Sequence, residues 1–159
     1  MDNKVVQDAL ADLFPGHVFG KNYRLPTEAE WEYVSRLGGL ATGDYGFGAT
    51  AHNVDANAWN NKNSGSRTHP VGQKKPIMIN GKPVYDIHGN VWKWTQDSWD
   101  GRSKLSGGVD PVGVTGSRRV LRGGSWNSDA QYLRSGYRSG ISPGYSFSFV
   151  GFRLVSDIP

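Results

Sequence analysis

The residues of this chain that could do covalent or metal chemistry are few and scattered. There is no cysteine, which excludes disulfides, thiolate metal ligands and thiol nucleophiles together. The four histidines, His17, His52, His69 and His88, lack any ligand spacing, and each reads as a hydrogen-bonding loop residue. Asn53, Asp55, Asn57, Asn60 and Asn61 form a cluster of oxygen donors of the type calcium takes. The denser signal is of another kind. Between Arg-Arg-Val-Leu-Arg-Gly-Gly-Ser-Trp (118–126) and Val-Gly-Phe-Arg-Leu-Val (150–155) lie residues 127–149, with six Ser, five aromatic residues and three Gly, and no Lys, Glu, Met or Trp. Large rings give contact area at low entropy cost and small polar residues adapt around them. A stiff frame holding such a stretch argues for recognition before catalysis.

The elements that must position this stretch are modest. At 159 residues one domain spanning 1–159 is expected, and 22 Gly, 8 Pro and 12% aromatic residues describe a loop-rich fold packed on Trp and Tyr. No apolar run approaches the ~18 residues of a membrane span, so membrane insertion is not expected. The opening Met-Asp-Asn-Lys-Val-Val-Gln-Asp has neither the basic nor the apolar region of a secretion signal. The net charge of +4 is spread over scattered Lys and Arg, which argues against nucleic acid as a partner.

Val5, Val6, Ala9, Leu10 and Leu13 space a first helix over 3–13, closed by Pro15 and Gly16. Thr27 and Glu30 make a capping box after Pro26, and Gly38 and Gly39 stop the second helix, with Trp31, Val34 and Leu37 as its buried face. Residues 39–83 read as ordered loop. Strands are expected at 84–87, 91–95, 119–122 and 149–155. Trp92, Trp94, Trp126 and Phe152 are assigned to the core. Arg122, Arg134, Arg138 and Arg153 are expected to make forked hydrogen bonds to loop carbonyls and to carboxylates such as Asp86.

Four motifs carry a resemblance. Tyr-Arg-Leu-Pro-Thr-Glu-Ala-Glu-Trp-Glu-Tyr (23–33), Tyr-Asp-Ile-His-Gly-Asn-Val-Trp-Lys-Trp (85–94), Arg-Val-Leu-Arg-Gly-Gly-Ser-Trp (119–126) and Gly-Phe-Arg (151–153) are similar, in order, to the formylglycine-generating, or sulfatase-modifying factor, family. The resemblance implies an α+β, C-type-lectin-like fold with two helices, a small antiparallel sheet and long ordered loops. The first strands of the usual family domain have no counterpart, so the chain reads as a compact version or a piece of a longer protein. The family's enzymes use two cysteines, whose positions fall here at Ser128 and Leu133. A Ser without a visible base is a weak nucleophile and Leu binds no copper, so no catalytic residue, cofactor or resident metal is expected. Relatives place calcium near the Gly-Asn-Val-Trp motif, but the usual acidic residue after Trp92 is Lys93, whose ammonium opposes a divalent cation.

Within that fold the chain most resembles the variable proteins of diversity-generating retroelements, in which adenine-directed mutagenesis rewrites Asn codons near the C-terminus. Such codons cannot yield Lys, Glu, Gln, Met or Trp, and of these five only Gln131 occurs in 127–149. The resemblance implies that Asn127, Ser128, Asp129, Tyr132, Ser135, Tyr137, Ser139, Gly140, Ile141, Ser142, Gly144, Tyr145, Ser146, Phe147 and Ser148 are the varied, ligand-binding positions. Ala130, Leu133, Arg134, Arg138 and Pro143 are retained frame, and Trp126, Arg138, Gly151 and Phe152 pack beneath. Tyr132, Tyr137, Tyr145 and Phe147 are the expected anchors of one face. The ligand is expected to be a protein rather than a glycan. The alternative is an inactive or uncharacterised formylglycine-generating-enzyme-like protein.

Overall fold

The computed structural model describes residues 23–41, 43–48 and 53–156, and the helix expected over 3–13, with His17 and His52, lies outside them. Strand β1 (Tyr23–Arg24) leads into helix α1 (Glu28–Ser35). The helix starts where its capping box requires: Thr27 Oγ1 accepts the Glu30 N–H at 3.1 Å, and Glu30 Oε2 accepts the Thr27 N–H at 2.7 Å. Arg24 grips the same carboxylate at 2.6 and 2.7 Å and holds the Glu30 pKa below its ordinary value. Leu37, Gly38 and Gly39 all take positive φ and end the helix. Trp31 is buried with Ile77 and Ile87, and Val34 and Leu37 pack on that cluster from the edge.

The region read as loop contains more structure than expected. A one-turn helix, α2 (Val54–Asn57), and a hairpin of β2 (Ile77–Ile79) with β3 (Lys82–Val84) interrupt it. The hairpin turns on Asn80 and Gly81, at φ of 49° and 75°, the paired positive values that a two-residue turn of matching twist needs. The strand expected at 84–87 therefore sits at Lys82–Val84, since Asp86, Gly89 and Asn90 also take positive φ and curl the chain away.

Strands β4 (Trp92–Trp99), β5 (Arg118–Arg122), β6 (Arg138–Ile141) and β7 (Val150–Gly151) form one sheet in the order β6-β5-β4-β7. β4 runs on past the expected 91–95. The sheet is antiparallel apart from β7, which pairs parallel to β4. The strand expected over 149–155 is split between β7 and β8 (Val155–Ser156), which pairs with β1. The architecture is that of the α+β, C-type-lectin-like fold that the motifs imply.

A charged knot joins α1 to β5 and β6. Arg122 is fully buried, with Nε 3.4 Å from Glu28, Nη2 2.5 Å from Glu32, Nη1 on the Tyr137 carbonyl and its guanidinium over the Trp31 ring. Arg138 clasps both Glu28 oxygens at 2.6 and 2.7 Å. The two arginines thus make the forked bonds expected of them, but to Glu28 and Glu32 rather than Asp86. Arg153 reaches the Tyr85 carbonyl beside Asp86, and Arg134 takes the Gln131 carbonyl. Removing the Glu28 charge leaves two guanidiniums facing each other below the surface. Glu28→Gln is expected to lower the unfolding free energy by about 3–5 kcal/mol in chemical denaturation, as for other broken buried pairs. Glu30→Gln, at a partly exposed cap, should cost only about 1 kcal/mol.

Candidate binding face

The segment after Trp126 rests on a shelf made by residues 53–64. Ser64 Oγ donates to the Trp126 carbonyl at 2.8 Å, the Asn61 N–H donates to the Ser128 carbonyl at 3.1 Å, and the Asn61 amide reaches Asp129. Within the shelf, Asn60 donates to Asp55, Lys62 N–H binds the Asn60 oxygen, and the Asn60 N–H binds the Asn63 oxygen. The Asn/Asp cluster read as a possible calcium set is thus a hydrogen-bonded knot that supports the neighbouring segment. Gly123 makes the turn possible: at φ of 89°, a Cβ there would lie 2.5 Å from the Ile87 carbonyl oxygen.

The two positions that the resemblance assigns to cysteine, Ser128 and Leu133, hold no reactive pair. Ser128 is buried, and its Oγ accepts the Ser125 N–H at 3.0 Å and contacts Ser125 Oγ at 3.1 Å. Leu133 is fully buried with Tyr45, Val54 and Ala58. This donor set does not suit copper. The nearby ring is His88, whose Nδ1 donates to the Leu133 carbonyl at 2.6 Å while Nε2 accepts the Gly46 N–H at 3.5 Å. Burial pushes the His88 pKa down to about 3, so it stands neutral with both nitrogens occupied. His69 stacks on Trp59 and bonds the Ser64 carbonyl at 2.7 Å. Lys93 is buried, donates to the Gly89 carbonyl at 2.6 Å, and has its pKa lowered to about 7, first by burial and then by Arg153. An amino group already holds that carbonyl, which does not suit a calcium ion at the same place.

The structure sorts the fifteen candidate positions into three groups. Ser128 and Ser135 are buried, which corrects their assignment to the surface; Ser135 N–H binds the Asp44 carbonyl at 2.7 Å and its Oγ the Ser35 carbonyl at 3.3 Å. Gly140 also belongs to the frame, because a Cβ there would meet both the Trp99 ring and the Arg119 carbonyl oxygen at 3.0 Å. Tyr132 and Tyr137 are half-buried, edge to face at 5.0 Å, with Tyr137 also 6.1 Å from Trp92. Ser139 and Ile141 are half-buried within β6.

The remaining candidates are exposed: Asn127, Asp129, Ser142, Gly144, Tyr145, Ser146, Phe147 and Ser148. Tyr145 is 62% and Phe147 43% exposed; Tyr145 stacks on Phe147 at 6.0 Å, and Phe147 on Phe149 at 4.9 Å. Beside this ladder lies a hollow of about 430 Å³ lined by Ser117, Arg118, Gly140, Ile141, Ser142, Tyr145 and Phe147. The Trp92 N–H holds the Phe149 carbonyl at 2.8 Å while its ring meets Tyr137, so one core residue braces both aromatic groups. Ser117 and Arg118 join the hollow without a sequence signal, since nothing in the sequence places 117–118 beside 145. The core assignment holds for Trp92, is halved for Trp94 and Trp126, and fails for Phe152, which is 51% exposed.

A family model described as "Sulfatase-modifying factor enzyme 1-like domain" matches residues 6–158. The formylglycine-generating enzyme of Mus musculus is 38% identical over 146 residues, covering 84% of this chain and 39% of that protein. The structure of Treponema denticola variable protein 1 superposes with a TM-score of 0.71 and 42% identity, covering 83% of this chain and 46% of that one. PvdO from Pseudomonas aeruginosa gives a TM-score of 0.70 at 26% identity, over 99% of this chain and 59% of its own. The chain thus spans about two-fifths of the curated enzyme and about half of the variable protein.

Two outcomes follow from these environments. Tyr145→Ala should stay within about 0.5 kcal/mol of the parent in thermal or chemical unfolding, as exposed changes do, whereas Tyr137→Ala should lose about 2 kcal/mol, short of a fully buried ring. For His88, the unfolded imidazole takes up a proton near pH 6.5 and the folded one only near 3. Stability is therefore full above 6.5 and falls with acidification by about 1.4 kcal/mol per pH unit. Unfolding measured between pH 6.5 and 4.5 should show this slope, and His88→Asn should flatten it.

Proposed function

The chain belongs to the sulfatase-modifying factor enzyme 1-like domain family, and from that premise we propose that it is a non-catalytic, ligand-binding variable protein of a diversity-generating retroelement. The observation that carries this reading is the ladder of exposed Tyr145 and Phe147 stacked on half-buried Phe149, whose carbonyl the Trp92 N–H holds. Exposed aromatic clusters mark interaction sites, and rings at the centre of an interface supply most of its binding energy. The contact positions on this reading are Asn127, Asp129, Tyr132, Tyr137, Ser139, Ile141, Ser142, Gly144, Tyr145, Ser146, Phe147 and Ser148. Ser128, Ser135 and Gly140 are withdrawn to the frame. A protein partner fits the broad ladder and shallow hollow better than a glycan does.

The non-catalytic part of the proposal rests on Ser128 and Leu133, neither of which can replace a thiol, and on His88, whose two nitrogens are both committed. Identity to the formylglycine-generating enzymes supports a second reading, an enzyme of that family. One assay separates the two. The chain incubated with a cysteine-containing sulfatase-motif peptide, copper and oxygen should yield no peptide aldehyde by mass spectrometry, and any aldehyde overturns the reading. The DNA beside the gene tests the rest: a near-copy of the segment encoding 118–155, differing mainly at adenines and next to a reverse transcriptase gene, is expected, and its absence overturns the retroelement assignment.

A further inference from the structure

Among the described residues four guanidiniums, from Arg36, Arg122, Arg134 and Arg138, gather near Tyr137, with three carboxylates, from Glu28, Glu32 and Asp44, among them. Glu28 serves Arg122 and Arg138, and Glu32 serves Arg122 and Arg36, the latter at 2.8 Å. One positive charge is left over. It opens on a pocket of about 280 Å³ lined by Arg36, Asp44, Arg134, Gly136, Tyr137 and Arg138. Arg134 is exposed and spends only its Nε–H within the described residues, on the Gln131 carbonyl at 2.9 Å. Arg36 uses Nε on Glu32 and Nη1 on the Gly43 carbonyl at 3.2 Å, and its Nη2 lies 3.2 Å from where a Cβ on Gly136 would be. Donors with no acceptor among the described residues, on two arginines flanking one small cavity, suit an oxyanion, which takes guanidinium hydrogen bonds in pairs. The volume falls below the range of drug-sized ligand sites, so it fits a single such group at the end of a larger partner.

We propose that this pocket is a fixed oxyanion site, lined by the Arg36, Arg134 and Arg138 cations, that gives the proposed binding face a preference for partners presenting a phosphate, sulfate or carboxylate beside Tyr137. The preference rests on the binding-face reading, while the site itself is tested without any partner. The diversified rings then change the outline of the face while the charge at its edge stays.

The probe is inorganic phosphate added to the full chain, with sulfate and acetate as further arms and sodium chloride at matched ionic strength as control. Phosphate is expected to raise the melting temperature saturably and beyond the chloride control. Arg134→Gln, which breaks no ion pair among the described residues, should melt near the parent without phosphate and weaken its binding at least tenfold. Arg36→Gln should weaken it as well. The ranking of phosphate, sulfate and acetate tells which oxyanion the pocket prefers. An equal response in parent and Arg134→Gln, or a parent response matched by chloride, overturns the site. Failure of the retroelement test leaves this result untouched, so the two proposals fail separately.

Discussion

A fully buried arginine on the central sheet needs partners before that sheet can close, and Arg122 finds them on α1. Its guanidinium pairs with Glu28 and Glu32, lies over Trp31, and leaves one N–H for the Tyr137 carbonyl. Burial works against this charge, and the two carboxylates offset it. Helix α1 is therefore held in place by electrostatics as much as by its apolar face. Arg138 shares Glu28, which draws β6 into the same knot. The N–H of Glu28 itself binds Asp97, whose other oxygen accepts the Gly113 N–H. Helix, β4, β5, β6 and the loop before β5 are thereby fastened around three acids.

The sequence states the ends of this network and hides its pairing. The capping box at Thr27 and Glu30 was legible because the chemistry is local, complete within four residues. Glu28 and Arg138 are 110 residues apart, and no short-range rule pairs them. The same divide explains the strands. Asn80 and Gly81 are a strong hairpin signal, but the flanking strands have three residues each, too short for alternation to show. The break after Gly151 has no sequence mark; Arg153 simply turns to the Tyr85 carbonyl. Burial of Ser128 and Ser135 was equally invisible, since serine is common on surfaces and both hydroxyls are satisfied by groups that only folding brings near.

Composition did mark the ladder, and the reason is physical. Tyr145, Phe147 and Phe149 alternate with Ser146 and Ser148, and the chain turns at 148–149, where the Val150 N–H meets the Phe147 carbonyl. The segment joins no sheet until Val150, so its rings stack on each other instead of on a core. Tyr132 lies within a 3-10 turn (Ala130–Leu133) and Tyr137 follows it, and there the alternation fails. Both sink halfway, Tyr132 against Tyr137 and Tyr137 against Trp92. The expected single face thus divides into a free part that can change without structural cost and a part where each ring also packs the frame.

Leu133 shows how the frame tolerates this freedom. It stands where the family's enzymes carry their second cysteine, and a larger, wholly apolar side chain there fills a pocket with Tyr45, Val54 and Ala58. Burying such a side chain contributes about 2–3 kcal/mol. It also lies close against Gly124, where a Cβ would come within 2.6 Å of its Cδ1, so the Gly-Gly-Ser-Trp turn is locked by core packing. The Leu133 carbonyl then fixes the neutral His88 ring. Leu133 therefore ties the start of the exposed segment to the core. A surface whose side chains are free to change needs its backbone held by contacts that those side chains do not make, and Leu133, Ser128 and Ser135 supply them from below.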